Sequence, residues 1–318
     1  MTQPAPDLLT DPPRQQGRRP SSLAGWAALL VVWVVWGSTY LAIRVADRTI
    51  PPFPMAATRY LIAGLLLYPA ARLTSRRGTQ AQAQAGTRGP LAQWAGMAVV
   101  GTMLLAFGNG GVSYAERTLP SGTAALLVAS VPLWMALADQ FINGRRLRPR
   151  GWAALVIGLA GIAIVAQPHG HSAVLPVLVV LGASVSWGTG SVLAGRLPAP
   201  ASPLLGSAME MLAGGAVLVG LALATGEAWS GRASGESLLA LAYLVGPGSL
   251  LALTCYVIAL RRLPTSVVST YAYVNPVVAV ALGALLLGER LTVTALIGGA
   301  VVVASVALLL SSGSRDQP

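Results

Sequence analysis

The sequence holds no lysine, one cysteine, two histidines and only 10% charged residues among 318. Each scarcity excludes something. Soluble domains carry roughly 25% charged residues, so a water-soluble body of this size could not cover its surface with so few. The solvent for most of this chain is therefore lipid. Cys255, alone and inside an apolar run, permits no intrachain disulfide and leaves the redox compartment open. His169 and His171 share one short loop and bring too few ligands for a metal centre. Without lysine there is no Gly-x-x-x-x-Gly-Lys loop to cradle ATP phosphates. An intramembrane enzyme needs a nucleophile with its base, or a metal cluster, among the apolar segments. Cys255 has no candidate base near it in sequence, so neither enzyme chemistry nor a cofactor is expected.

The chain does have arginine, enough for a formal net charge of +11. A basic balance suggests nucleic acid when it forms a continuous patch. Here the arginines fall between long apolar runs, the pattern of membrane loops, so no nucleic-acid partner is expected. With a cytoplasmic N-terminus, fifteen arginines lie inside, among them Arg72, Arg145, Arg146, Arg148, Arg150, Arg261 and Arg262. Only Arg48, Arg117, Arg232 and Arg290 flank the outer ends. That bias predicts both termini in the cytoplasm and a multi-pass protein of the inner (plasma) membrane.

A spanning helix needs about 20 mostly apolar residues. Ten segments qualify, near 25–45, 55–73, 91–113, 121–142, 151–167, 173–194, 203–225, 237–259, 265–287 and 291–311. They are helices because backbone groups in lipid must be paired within their own segment. The predicted fold is thus an all-α integral membrane protein of ten transmembrane helices. The first apolar stretch, Leu23 to Val45, is too long for a signal-peptide core. Residues 1–22, rich in Pro, Gln and Arg, and residues 312–318 read as cytoplasmic tails, the first one disordered.

The chain repeats. Leu119-Pro120 aligns with Leu263-Pro264, and at the same offset Pro132 meets Pro276 and Gly144 meets Gly288. Upstream, Trp36-Gly37-Ser38 meets Trp187-Gly188-Thr189, and Ala63-Gly64 is matched with Ala213-Gly214. Residues 26–167 and 173–311 form the two units. Each contains five helices, an odd number, so the second enters from the opposite side. Such inverted halves suit alternating access to a site at their interface.

The motifs Trp36-Gly37-Ser38-Thr39-Tyr40, Arg59-Tyr60-Leu61, Pro120-Ser121-Gly122-Thr123-Ala124-Ala125-Leu126, Val131-Pro132-Leu133, Asn275-Pro276 and Gly288-Glu289-Arg290-Leu291 carry a resemblance. Together they make the chain similar to ten-helix members of the drug/metabolite transporter superfamily with two EamA-type domains. The resemblance covers about residues 26–311. It implies a central cavity, no ATP site and, in many members, export of amino acids or related metabolites by a secondary transporter. Multidrug efflux and nutrient uptake are the alternatives it leaves open. The small multidrug pumps rely on a glutamate in the first helix, which this sequence lacks.

Candidate site residues follow from polarity inside apolar segments. Trp33, Trp36, Tyr40 and Arg44 recur on one face of the first helix, with Ser38 beside them. Arg59 lies about 8 Å below the outer end of the second helix, where a charge demands water, a partner or a substrate. Asn109, Trp187, Tyr256, Tyr271 and Asn275 carry polar tips or aromatic faces within other helices. Glu210 is the expected proton-coupling group, at a depth that separates it from Arg59. Pro132 and Pro276 are expected to kink their helices as paired hinges. Asp139 and Glu116 fall near helix ends and read as interfacial. The expected partners are a small-molecule substrate, the bilayer and protons, and a monomer or weak homodimer suffices.

Overall fold

A computed structural model of the chain describes residues 23–77, 89–166, 174–229 and 232–313. The N-terminal tail, both histidines and most of the loop over 74–89 lie outside the described residues.

Ten helical rods account for nearly all of what is described. They are α1 (Leu23–Ala46), α2 (Pro52–Arg77), α3 (Pro90–Glu116), α4 (Ser121–Asn143), α5 (Pro149–Val165), α6 (Val174–Ala194), α7 (Pro203–Thr225) and α8 (Gly235–Arg262). Two more follow: α9, in two parts (Thr265–Val268 and Tyr271–Leu287), and α10 (Val293–Gly313). Six of them are long and apolar enough to cross a bilayer alone, while α5, the second part of α9 and Val293–Leu309 are apolar but shorter. Prolines open α2, α3, α5 and α7 in the first helical turn, where no amide hydrogen is needed. Gly144 and Gly288 close α4 and α9 with φ of 69° and 65°, a left-handed turn that L side chains resist.

The packing obeys a two-fold pattern. α1 packs on α9 and α8 as α6 packs on α4 and α3. α2 packs on α7 and α5 on α10, each helix against its own counterpart. Single contacts repeat the rule. A Cβ on Gly37 would meet Val278 at 2.6 Å, and a Cβ on Gly188 would meet Trp134 at 2.9 Å. At the offset that aligns Pro120 with Pro264, Trp134 falls on Val278. In the α2–α7 seam a Cβ on Gly64 would meet Leu212 at 2.9 Å, and one on Gly215 would meet Leu61 at 2.9 Å. This corrects the register by one residue: Gly64 is equivalent to Gly215, not Gly214. The offset is the one that pairs Trp36 with Trp187, and it makes Arg59 the counterpart of Glu210.

The third helix of each half also departs from α geometry at the same place. α3 is π-helical over Thr102–Asn109 and α8 over Gly246–Leu251, and Thr102 aligns with Gly246. An extra residue per turn widens a helix and re-aims its side chains. The breaks in α4 and α9 do not match. α4 is interrupted at Ala129–Ser130, just before Pro132. α9 is interrupted at Ser269–Thr270, and Pro276 sits inside the continuous second part. Pro276, expected as a hinge, stands inside the continuous second part of α9, and the interruption of that helix lies six to seven residues earlier, at Ser269–Thr270.

α4 and α9 meet firmly at one end only. The first part of α4 packs on the second part of α9, and the mirrored pair makes no comparable contact. The meeting end faces away from the chain termini and is called the distal face below.

Candidate functional site

The first helix supplies one wall. Trp36 lies 5.2 Å from Tyr256 of α8 and 5.3 Å from Tyr271 of α9, and those tyrosines lie 5.8 Å apart, all centroid to centroid. Each such pair contributes roughly 0.5–1.5 kcal/mol beyond simple burial. The rings touch, so in this conformation the site is filled by its own side chains. The Asn275 amide, turned to donate, reaches the carbonyls of Trp33 at 3.3 Å and Tyr271 at 3.2 Å. Ser38 shares a 2.6 Å hydrogen bond with the Tyr243 hydroxyl. Tyr40 lies within electrostatic reach of Tyr271 and Glu116.

Arg59 is 6% exposed. Its Nε donates to the Ser249 hydroxyl at 2.9 Å, and its guanidinium lies 4.9 Å from the centre of the Tyr60 ring. Ser249 belongs to the π segment of α8 and donates in turn to the Leu244 carbonyl, five residues back. Gly248 separates Arg59 from Thr39 of α1: a Cβ there would stand 3.2 Å from the Thr39 methyl and 3.6 Å from the Arg59 guanidinium. The widened turn therefore holds the buried cation across Gly248 from Thr39, three residues after Trp36 on α1. A fixed positive charge suits an anionic group, and aromatic faces suit an apolar or cationic one.

The structure thus brings Trp36, Tyr256, Tyr271 and Asn275 together, with Tyr40 in electrostatic reach of Tyr271, while Ser38 pairs with Tyr243 and Arg59 with Ser249. Trp187 stands apart from this cluster. Its ring lies over Gly108 in the π segment of α3, where an added Cβ would meet it at 3.1 Å. Asn109 ends the same segment. Glu210 is half-buried on α7, its backbone pressed against Gly101 at the start of that segment. Arg59 and Glu210 so occupy equivalent posts, each beside the π segment of the opposite half.

Sequence reasoning missed Tyr243, Ser249 and the acid Glu116. Glu116, read from the sequence as interfacial, is 0% exposed, and among the described residues neither carboxylate oxygen has a hydrogen-bond partner. Its helix end is roofed over by α1, whose Arg44 donates to the Glu116 backbone carbonyl and does not reach out to solvent alone. The distal face is further closed by carboxylates at helix N-termini. Glu289 accepts from the Ser121 amide at 3.0 Å, the Ser121 hydroxyl at 2.9 Å and the Gly122 amide at 3.3 Å. Glu227 accepts from the Phe53 amide at 3.0 Å and pairs with Arg117 at 3.6 Å.

Ten helices, most of them apolar, in two halves of opposite sense have the architecture of a membrane transporter with an inverted repeat. The chain belongs to the EamA-like transporter family, whose profile matches residues 23–167 and 174–311, within the drug/metabolite transporter superfamily. It is 38% identical over 288 residues to the "Uncharacterized inner membrane transporter YedA" of Escherichia coli, covering 89% of this chain and 90% of that one. It is 30% identical over 298 residues to a "Probable terminal-alkyne amino-acid exporter" of Streptantibioticus cattleyicolor, covering 91% and 93%. A "Probable amino-acid metabolite efflux pump" of Salmonella typhimurium is 26% identical over 302 residues, covering 89% and 93%. A solved crystal structure superimposes with a TM-score of 0.61 at 24% identity, covering 94% of this chain and all of that one, which shows the shared fold.

Proposed function

We propose that this protein is a secondary transporter that exports amino acids or closely related metabolites across the inner membrane by alternating access. Both termini face the cytoplasm, as the arginine bias requires, and the protein performs no covalent chemistry on its cargo. The observation that carries this reading is the buried Arg59 of α2, bonded to Ser249 in the π segment of α8, in the same bundle as the Trp36–Tyr256–Tyr271 cluster. A carboxylate with an apolar side chain matches that pair of features. Two relatives bear names that speak of amino-acid export, in line with the same chemistry. The distal seal at Glu289 makes the described state closed to the outside and the easier one for cytoplasmic substrate to enter.

The test is flux in proteoliposomes with a panel of labelled amino acids. Saturable movement of one of them, lowered at least tenfold by Arg59→Ala in folded protein, is the expected result. No amino-acid movement by well-folded protein, together with extrusion of an apolar cationic dye, would transfer the site to multidrug efflux.

A further inference from the structure

We propose that Asp47 and Glu116 form a proton-binding pair at the distal face, loaded and emptied as that face opens and shuts. The inference rests on the transporter reading above and replaces Glu210 as the coupling group.

The geometry supplies a cavity and two idle acids. A cavity of about 380 Å³ is lined by Arg44, Asp47, Arg48, Arg117, Leu287 and Glu289. Asp47 follows directly on the end of α1, and both its carboxylate oxygens are buried and, among the described residues, unpartnered. Glu116 lies within electrostatic reach of Asp47, Glu289, Arg44, Arg59 and Tyr40. Asp47 is in reach of Arg117, Glu227 and Arg44 as well. The nearby cations are already engaged. Arg44 donates to the Glu116 backbone carbonyl, Arg117 pairs with Glu227, and Arg48 pairs with Glu236 at 3.3 Å. Glu289 is held by the first turn of α4.

Two neighbouring carboxylates, both buried and both unpaired, are not stable as two negative charges. Burial also pushes the Asp47 carboxyl well above the usual aspartate range, partly opposed by Arg117 and Arg44. At least one proton therefore resides on the pair while the distal face is shut. Opening that face admits water, hydrates the charges and lets the proton leave as hydronium; closing takes one back, with one O–H bond formed or broken and no electron transferred. Glu116 touches the field of Tyr40 and Arg59, so its charge is felt at the candidate site. Among the described residues, no charged group acts on Glu210 in the same way.

The test needs no substrate, so its failure is separate from failure of the export reading. Protein in nanodiscs is titrated while the carboxylic-acid stretch is followed by infrared difference spectroscopy. In parallel, an impermeant maleimide labels Leu287→Cys in a Cys255→Ala background. The expected result is a carboxylic-acid band that titrates above the ordinary carboxylate range, is lost in Glu116→Gln or Asp47→Asn, and persists in Glu210→Gln. Labelling rises several-fold from acid to alkaline pH, and this dependence flattens in either of the first two variants. A band that survives both and disappears in Glu210→Gln overturns the proposal, as does labelling whose pH profile both leave unchanged.

Discussion

At the level of single residues, the most direct energetic consequence belongs to Asp47. Its carboxyl is raised by burial above the ordinary aspartate value of 3.8. A raised folded value means that the folded state holds its proton more tightly than the unfolded chain. Stability is then fully present at pH below the ordinary value and declines as pH climbs through the folded one. Asp47→Asn mimics the protonated form and removes that decline. Thermal melts in detergent should therefore superimpose for parent and variant below the ordinary value of 3.8 and diverge progressively as pH rises above it, with the variant melting higher. Melting curves that stay parallel across the range would mean that Asp47 is solvated and ordinary. Legibility ends here for a physical reason. Sequence gives the depth of Glu116 along its helix, at the end, but not what lies beside it. The lateral neighbours, α1 with Arg44 and the loop with Asp47, come from 69 to 72 positions earlier in the chain. Tyr243 escaped notice for the same cause: its partner Ser38 is 205 residues away.

Among the elements, the α2–α7 seam tests the two-fold rule. Gly64 receives Leu212 and Gly215 receives Leu61, both at 2.9 Å from where a Cβ would stand. Overpacking a seam of this kind costs about 1–3 kcal/mol. Gly64→Val and Gly215→Val should then lower the melting temperature by similar amounts, since each offends the same contact from opposite sides. Gly220→Ala, on the same helix α7, meets nothing within 4 Å. It should be neutral or raise stability by up to about 1 kcal/mol through helix propensity. Unequal losses at the two valines would break the register assigned here. The ten rods themselves were legible, because length, apolarity and opening prolines act locally. The register slip between Gly214 and Gly215 arose because Ala-Gly and Gly-Gly neighbours make either alignment plausible until the packing decides. The π segments leave no period in the sequence beyond clustered glycines and Pro247, whose missing amide hydrogen loosens its turn. That is why Ser249, brought round to Arg59 by the widened turn, could not be foreseen. Neither could the α9 break: Pro276 advertises a kink, yet the chain yields at Ser269–Thr270, where no proline stands.

For the whole molecule, the two halves share a plan but not a charge at the gate. At the offset that pairs Pro120 with Pro264, Glu289 corresponds to Arg145 and Ser121 to Thr265. A carboxylate is stabilised at a helix N-terminus and a guanidinium is repelled there. Glu289 seals α4 to α9 at the distal face with three hydrogen bonds. Arg145 cannot do the same for the first turn of α9, and it pairs with Asp139 at 3.7 Å, largely exposed. The resting balance should therefore lean toward the distal-closed state. Glu289→Ala removes a cap worth about 0.5–2 kcal/mol, and a shift of one or two kcal/mol moves the equilibrium roughly 5- to 30-fold. Hydrogen–deuterium exchange reads this directly. Glu289→Ala should speed exchange in the first turn of α4, and Arg145→Glu should slow it in the first turn of α9 by supplying the missing cap. In flux assays Arg145→Glu should lower the rate at which cytoplasmic-side substrate is taken up, because the opposite closure is now held as firmly. If Arg145→Glu leaves both exchange and flux unchanged, the asymmetry at this pair of positions does not set the resting state, and the bias must come from the mismatched breaks in α4 and α9.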